Sequence, residues 1–309
     1  MLNVVLLLLT LALGALLSRV SLCAVAGVQQ AIATRNFAGL ERLALAACGA
    51  GLTLLLLAGL LPGEVRLPND THFHVGLIAG GVLLALGAMI NGGCYLGSVL
   101  YLGTGNLNFL FTLAGIALGL RAAASFAPLP IATAPMLRMA MGHLWLIGLG
   151  LFALIGALLI RRRWRQAQWL ALGAGLLAGL VYARHPGWSY GTVLDALARE
   201  PASLVHWRAY SPALALFAGA IGGAVLAGRF ALQPPMPRRA LRCLAGGAIM
   251  GFGAALIPGG NDSLLLWAIP GLTWYGAVAF GVMLAVLALG FALAERWPRP
   301  ASGPSTPAQ

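Results

Sequence analysis

Charge is scarce in this chain, and one kind of it is missing altogether. Only 8% of the 309 residues are charged, 7 of them acidic, and all 19 of the strongly basic ones are arginine. So few carboxylates leave little material for acid–base catalysis, and no enzyme activity is expected. The four cysteines include no Cys-x-x-Cys pair, which argues against a zinc or dithiol motif. His72 and His74 share one face of an extended segment but lie with Asp70 in a polar loop read as solvated. His143, His185 and His206 stand alone, so neither a metal nor a cofactor is expected. A formal charge of +12 would suit a nucleic-acid partner, yet the arginines are divided among short loops rather than gathered in a soluble domain. No nucleic-acid partner is expected.

What the chain has instead is apolar length. Hydrophobic residues make up 60% of it, and runs such as Met1 to Leu17, Leu43 to Leu61 and Leu144 to Ile160 are long enough to cross about 30 Å of hydrocarbon. The first run carries no positive n-region in Met1-Leu2-Asn3 and leads straight into further apolar segments, so it reads as a retained helix rather than a cleaved signal. An all-α polytopic membrane protein is expected, with helices near 2–18, 39–61, 76–90, 107–124, 139–160, 168–183, 212–229, 240–257 and 273–295.

Basic residues cluster between these runs, at Arg35 and Arg42, at Arg161 to Arg165, at Arg238 to Arg242, and at Arg296 and Arg299. Short basic loops are held on the cytoplasmic side. His185 to Pro212 mixes Asp195, Arg199, Glu200 and Arg208 with Trp188, Tyr190, Trp207 and Tyr210, a composition that suits an interfacial loop with an amphipathic helix. The tail after Trp297, rich in proline, serine and alanine, reads as disordered.

One glycine-studded stretch occurs twice. Gly80 to Cys94 aligns without gaps on Gly246 to Gly260, with identities at Gly80/Gly246, Gly81/Gly247, Gly87/Gly253, Ala88/Ala254 and Gly93/Gly259. Segments broken by Gly, Pro, Asn and Asp, near 19–33, 91–105 and 258–271, would leave backbone groups unpaired in lipid unless protein or a cavity surrounds them. They read as half-helices or re-entrant turns. With the loops at 34–42, 161–168 and 230–239 inside, the helix entering the first glycine stretch starts outside and the one entering the second starts inside. Two inverted repeats are therefore expected, their broken helices meeting near the bilayer midplane, an arrangement common among transporters. The boundaries are 1–138 for the first repeat, 139–210 for connecting helices and the interfacial loop, 211–297 for the second repeat and 298–309 for the tail.

At these residues the chain resembles a known family. Gly14 to Gly27 around Cys23, Asn91-Gly92-Gly93-Cys94-Tyr95-Leu96-Gly97 with Tyr101 to Asn108, and Met250 to Ala254 with Pro258-Gly259-Gly260-Asn261-Asp262 are similar to the YeeE/YedE family of sulfur-compound transporters. The resemblance implies uptake of thiosulfate or a related sulfur anion across a bacterial inner membrane, through a central pathway lined by cysteines. It also implies a cytosolic sulfur carrier of the TusA type as a partner. Two pathway cysteines fall on Cys23 and Cys94. The third does not carry over, because Gly259-Gly260 followed by Asn261-Asp262 stands where other members have Gly-Cys.

The residues themselves agree with such a role. A thiol is a weak donor in a polarizable group, suited to the sulfur or oxygen of thiosulfate, and glycines let an anion approach backbone N–H groups at half-helix N-termini. The same thiols are also the size of small apolar core residues, which is how Cys48 and Cys243 read within regular helices. Asp262 is an ionisable group at membrane depth, by default a functional residue and a candidate proton carrier. Asn261, Asp262 and Ser263 also suit the N-cap of a short helix from Leu264 to Ile269. Asn91 beside Gly92 and Gly93 joins the pathway set, and Arg19, at the end of the first helix, either attracts an anion or snorkels to an interface. Three classes stay open: an importer, a membrane thiol-redox or sulfur-transfer protein using Cys23 and Cys94, and a structural subunit.

Overall fold

The computed structural model describes residues 2–61, 63–126, 144–162, 165–199, 207–257 and 259–296. His143, Glu200, His206, Pro258 and the tail expected to be disordered lie outside the described residues.

The order is α1 (Leu2–Val20), α2 (Ala24–Thr34), α3 (Ala38–Leu60), α4 (Val75–Asn91), α5 (Tyr95–Gly103), α6 (Asn108–Phe126), α7 (Leu144–Arg162), α8 (Gln166–Arg184) and α9 (Tyr190–Arg199). Then come α10 (Trp207–Leu226), α11 (Pro237–Leu256), α12, which begins as Asn261–Ser263 and continues as a π-helical Leu264–Ala268, and α13 (Trp274–Arg296). Among the described residues every regular element is helical, as lipid demands of a chain that must satisfy its backbone within each segment. Among the described residues six segments are long and apolar enough to cross a membrane, and seven with the bent pair α11–α12. The chain is an all-α polytopic membrane protein.

All three expected breaks are present, and they differ in shape. Val4–Thr34 and Val75–Gly103 each continue as one long apolar segment through an interruption, whereas α11 and α12 meet at 54°. The amphipathic helix expected within His185 to Pro212 is present as α9, which packs on α6 and α10 and buries Tyr190, Val193 and Ala198. Helix α10 starts at Trp207 and carries Pro212 inside it, which a membrane helix tolerates when its neighbours re-satisfy the freed backbone.

The packing comes in matched pairs. Helix α1 packs on α10 as α3 packs on α8; α11 packs on α6 as α4 packs on α13; α9 packs on α6 as α2 packs on α13; and α5 lies against α10 as α12 lies against α3. Helices α4 and α11 pair directly through their shared glycines. A Cβ on Gly80 would lie 2.7 Å from the carbonyl oxygen of Gly253, and one on Gly87 2.6 Å from that of Gly246. Higher numbers on one helix meet lower numbers on the other, so the two run antiparallel. Small residues at such crossings bring backbones close where lipid supplies no hydrophobic drive for association.

Loops gather at two ends. At one, Arg66 N–H donates to Ala183 O at 2.9 Å and Trp274 Nε1 to Thr71 O at 3.0 Å. At the other, Ala231 N–H donates to Thr104 O at 3.0 Å and Gln233 N–H to Gly105 O at 2.9 Å. Asp70 is not in a solvated loop as expected. It is buried, and its carboxylate accepts from Trp274 N–H at 3.2 Å, satisfying a backbone donor that the start of α13 would otherwise leave unpaired.

Candidate functional site

The first two breaks bring Cys23 and Cys94 together. Each cysteine is extended and immediately precedes a short helix, Cys23 before α2 and Cys94 before α5. Their carbonyls accept the first helical bonds, from Gly27 N–H at 2.9 Å and Ser98 N–H at 2.8 Å. The Cys94 thiol donates to the Cys23 sulfur at 3.7 Å and accepts from Gly97 N–H at 3.4 Å. A disulfide would need about 2.05 Å, so both thiols are free. Both are buried. Two helix N-termini therefore converge on one pair of sulfurs, and the positive ends of their dipoles favour negative charge there.

Glycine makes the approach possible. A Cβ on Gly97 would fall 2.6 Å from the Cys23 sulfur, so only glycine at that position lets α2 and α5 close over both thiols. Gly92 ends α4 in the left-handed region at φ +73, a conformation that glycine adopts freely. Beside Gly92 lies the Arg239 guanidinium, which also sits 5.6 Å above the Phe109 ring. Gly93 faces the rings of Tyr101 and Phe109, themselves stacked at 4.8 Å.

Asn91 braces this break. Its Oδ1 accepts from Thr112 Oγ1 at 2.7 Å, and its Nδ2 donates to Gly93 O at 2.6 Å and to Ser98 Oγ at 3.2 Å. Every polar atom of the side chain is thus engaged within the protein. Arg19 is exposed at the end of α1 and is not among the groups gathered at the thiols.

The third break has the same backbone and different chemistry. Gly259 stands at φ +117, and Gly260 caps α12 without a side chain. The helix begins at Asn261, three residues earlier than expected, so Asn261, Asp262 and Ser263 lie in its first turn rather than before it. Asn261 caps a different helix: its Oδ1 accepts from Tyr95 N–H, the first residue of α5, at 3.0 Å. Its Nδ2 is buried without a hydrogen-bond partner. Asp262 is buried, and Ser263 Oγ donates to Gly260 O at 2.9 Å. A Cβ at Gly260 would lie 2.7 Å from both the Tyr95 ring and Asp262 Oδ1. The position of the absent third cysteine is therefore already filled by neighbours.

Several residues at this centre escape a reading of motifs alone. Tyr95 packs its ring over Gly260, and its carbonyl accepts from Tyr190 Oη at 2.8 Å. Ser189 ends the connection into α9, and the register that sets Gly80 on Gly246 and Cys94 on Gly260 also sets Cys23 on Ser189. Extending that alignment beyond the glycines would have found it. In sequence Arg239 belongs to a basic cluster, and only the fold carries it to Gly92. Among the described residues no cluster of His, Cys, Asp and Glu is arranged to hold a metal ion.

No curated protein matches the chain. A family model described as sulphur transport matches it twice, over residues 19–173 and 149–289. The first match holds Cys23 and Cys94, and the second holds their counterparts in register, Ser189 and Gly260. A chain matched over nearly all of its membrane segments in this way belongs to the sulphur-transport family, the YeeE/YedE group that its motifs resemble.

Proposed function

We propose that this protein imports thiosulfate or a related sulfur-containing anion across a bacterial inner membrane, along a path that passes Cys23 and Cys94. One observation carries the reading: two free, buried thiols 3.7 Å apart lie between the N-termini of two half-helices in the middle of apolar segments. Converging N–H dipoles favour an anion, and thiols offer weak, polarizable donors that suit a terminal sulfur. Passage needs no covalent step. With Gly260 in place of the third thiol, the relay here is a pair.

The matched packing and the antiparallel α4–α11 contact support two inverted repeats whose breaks face each other. The same pairing argues for starting the second repeat at α8, with α7 as the connector. Arginine-bearing loops on the side of Thr104 and Gln233 support a cytoplasmic assignment for that end.

The test is thiosulfate uptake and sulfur-dependent growth in a strain lacking its own importers. Cys23→Ala and Cys94→Ala, at native abundance in the membrane, are expected to abolish both. Full uptake by both variants would sink the thiol pathway. Thiol adjacency also supports a second reading, a membrane thiol-redox or sulfur-transfer protein, which predicts thiol turnover in the purified chain without net uptake.

A further inference from the structure

The thiol pair leaves a neighbouring chamber without a task. A cavity of about 370 Å³ lies between the third break and the start of α9, lined by Tyr95, Ser189, Thr192, Gly260 and Ser263 among others. Tyr95 is only 1% exposed, and its hydroxyl has no hydrogen-bond partner. A buried donor left unpaired calls for an explanation, and a ligand in the cavity that Tyr95 lines supplies one. Ser189 Oγ and Thr192 Oγ1 stand 3.0 Å apart, so one of the two hydroxyls donates to the other and one O–H is left over. Ser189 also caps the ten-residue α9, its Oγ accepting from Thr192 N–H at 3.3 Å and its carbonyl from Val193 N–H at 3.1 Å. Asp195 also lines it, its carboxylate held by Arg199 at 2.8 Å, and the buried Asp262 carboxylate stands beside Gly260 at its edge.

We infer that this chamber is an oxyanion site, in which Tyr95 Oη and the Ser189–Thr192 pair donate to the oxygen atoms of a tetrahedral sulfur oxyanion before it reaches the thiols. The inference rests on the import reading and deepens it. In register, Ser189 stands where the other half has Cys23, and Gly260 where it has Cys94. The first half offers weak, soft S–H donors, and Tyr95 together with the Ser189–Thr192 pair of the second half offers strong O–H donors, a difference that matches the two ends of thiosulfate. The missing third thiol is then a change of ligand preference at one station, with Tyr95 occupying its space.

The experiment is calorimetric titration of the full chain in lipid nanodiscs with thiosulfate and with sulfate, beside uptake in vesicles. Tyr95→Phe removes an oxygen that bonds nothing in the fold, so the variant is expected to melt as the native chain does. Its thiosulfate and sulfate dissociation constants are expected to rise about tenfold or more, the effect of one hydrogen bond to a charged group. Ser189→Ala is expected to weaken both ligands similarly, and Ser189→Thr, which keeps the hydroxyl, to restore them. Cys23→Ala is expected to retain sulfate binding while losing uptake. Unchanged affinity in the Tyr95→Phe, Ser189→Ala double variant overturns the site, even where native uptake stands. Binding that depends on these hydroxyls in a chain that imports nothing supports the site and overturns the import reading. A native chain that neither binds nor imports either anion overturns both.

Discussion

Gly97→Ala adds a single methyl group, and the structure says where it goes. Its Cβ would stand 2.6 Å from the Cys23 sulfur, 3.3 Å from Cys23 Cβ and 3.5 Å from the Cys94 sulfur. Ordinary contact begins at 3.4 Å, so the Cys23 sulfur has to retreat by about 0.8 Å, and the S–H···S contact at 3.7 Å has little slack to absorb that. Overpacking of this size costs about 1–3 kcal/mol. Alanine's better helix propensity returns at most about 1 kcal/mol, leaving a net loss of about 0–2 kcal/mol. Stability should therefore change little while the thiol geometry changes a great deal. The assay is thiosulfate uptake at matched membrane abundance, beside thermal melting in detergent. Gly173→Ala, where an added Cβ meets nothing within 4 Å, is the control. Uptake by Gly97→Ala is expected to fall below about a tenth of native, and Gly173→Ala to transport normally with unchanged or slightly higher stability. Native uptake by Gly97→Ala would refute the claim that transport needs the two thiols in contact.

Two further outcomes follow from the third break. Gly260→Cys should fail to rebuild a three-thiol path, because its Cβ meets the Tyr95 ring and Asp262; uptake is expected to drop and melting to fall, and native behaviour of the variant would count against the packing argument. Asn261→Ala removes the acceptor for Tyr95 N–H and strands a buried donor, which should cost about 1–3 kcal/mol in a melting experiment. A melting point equal to the native one would mean that the two breaks are not tied together through Asn261.

Much of the fold was legible because lipid restricts the alternatives. All nine expected long helices appear near their expected positions, since an apolar run of sufficient length in hydrocarbon has few options besides a helix. The breaks were legible for the same reason in reverse: Gly92-Gly93 and Gly259-Gly260 interrupt that rule, and the chain bends or restarts there. The errors came where a polar side chain serves something distant in sequence. Asp70 looked like loop solvation and is the partner of α13; Asn261 looked like the cap of its own helix and is the partner of α5. Local pattern ranks nearby uses first, and both residues act across the fold.

The functional centre divides in the same way. Composition and apolar run length settled the membrane class, the repeated glycines located the breaks, and the motifs named Cys23 and Cys94, because each of these is a property of contiguous residues. The meeting of those two thiols, the methyl-sized gap at Gly97 that permits it, the Tyr95 ring standing in the third cysteine's space, and the approach of Arg239 to Gly92 were decided by tertiary structure alone. These contacts join segments that only helix packing brings within a few ångströms of one another.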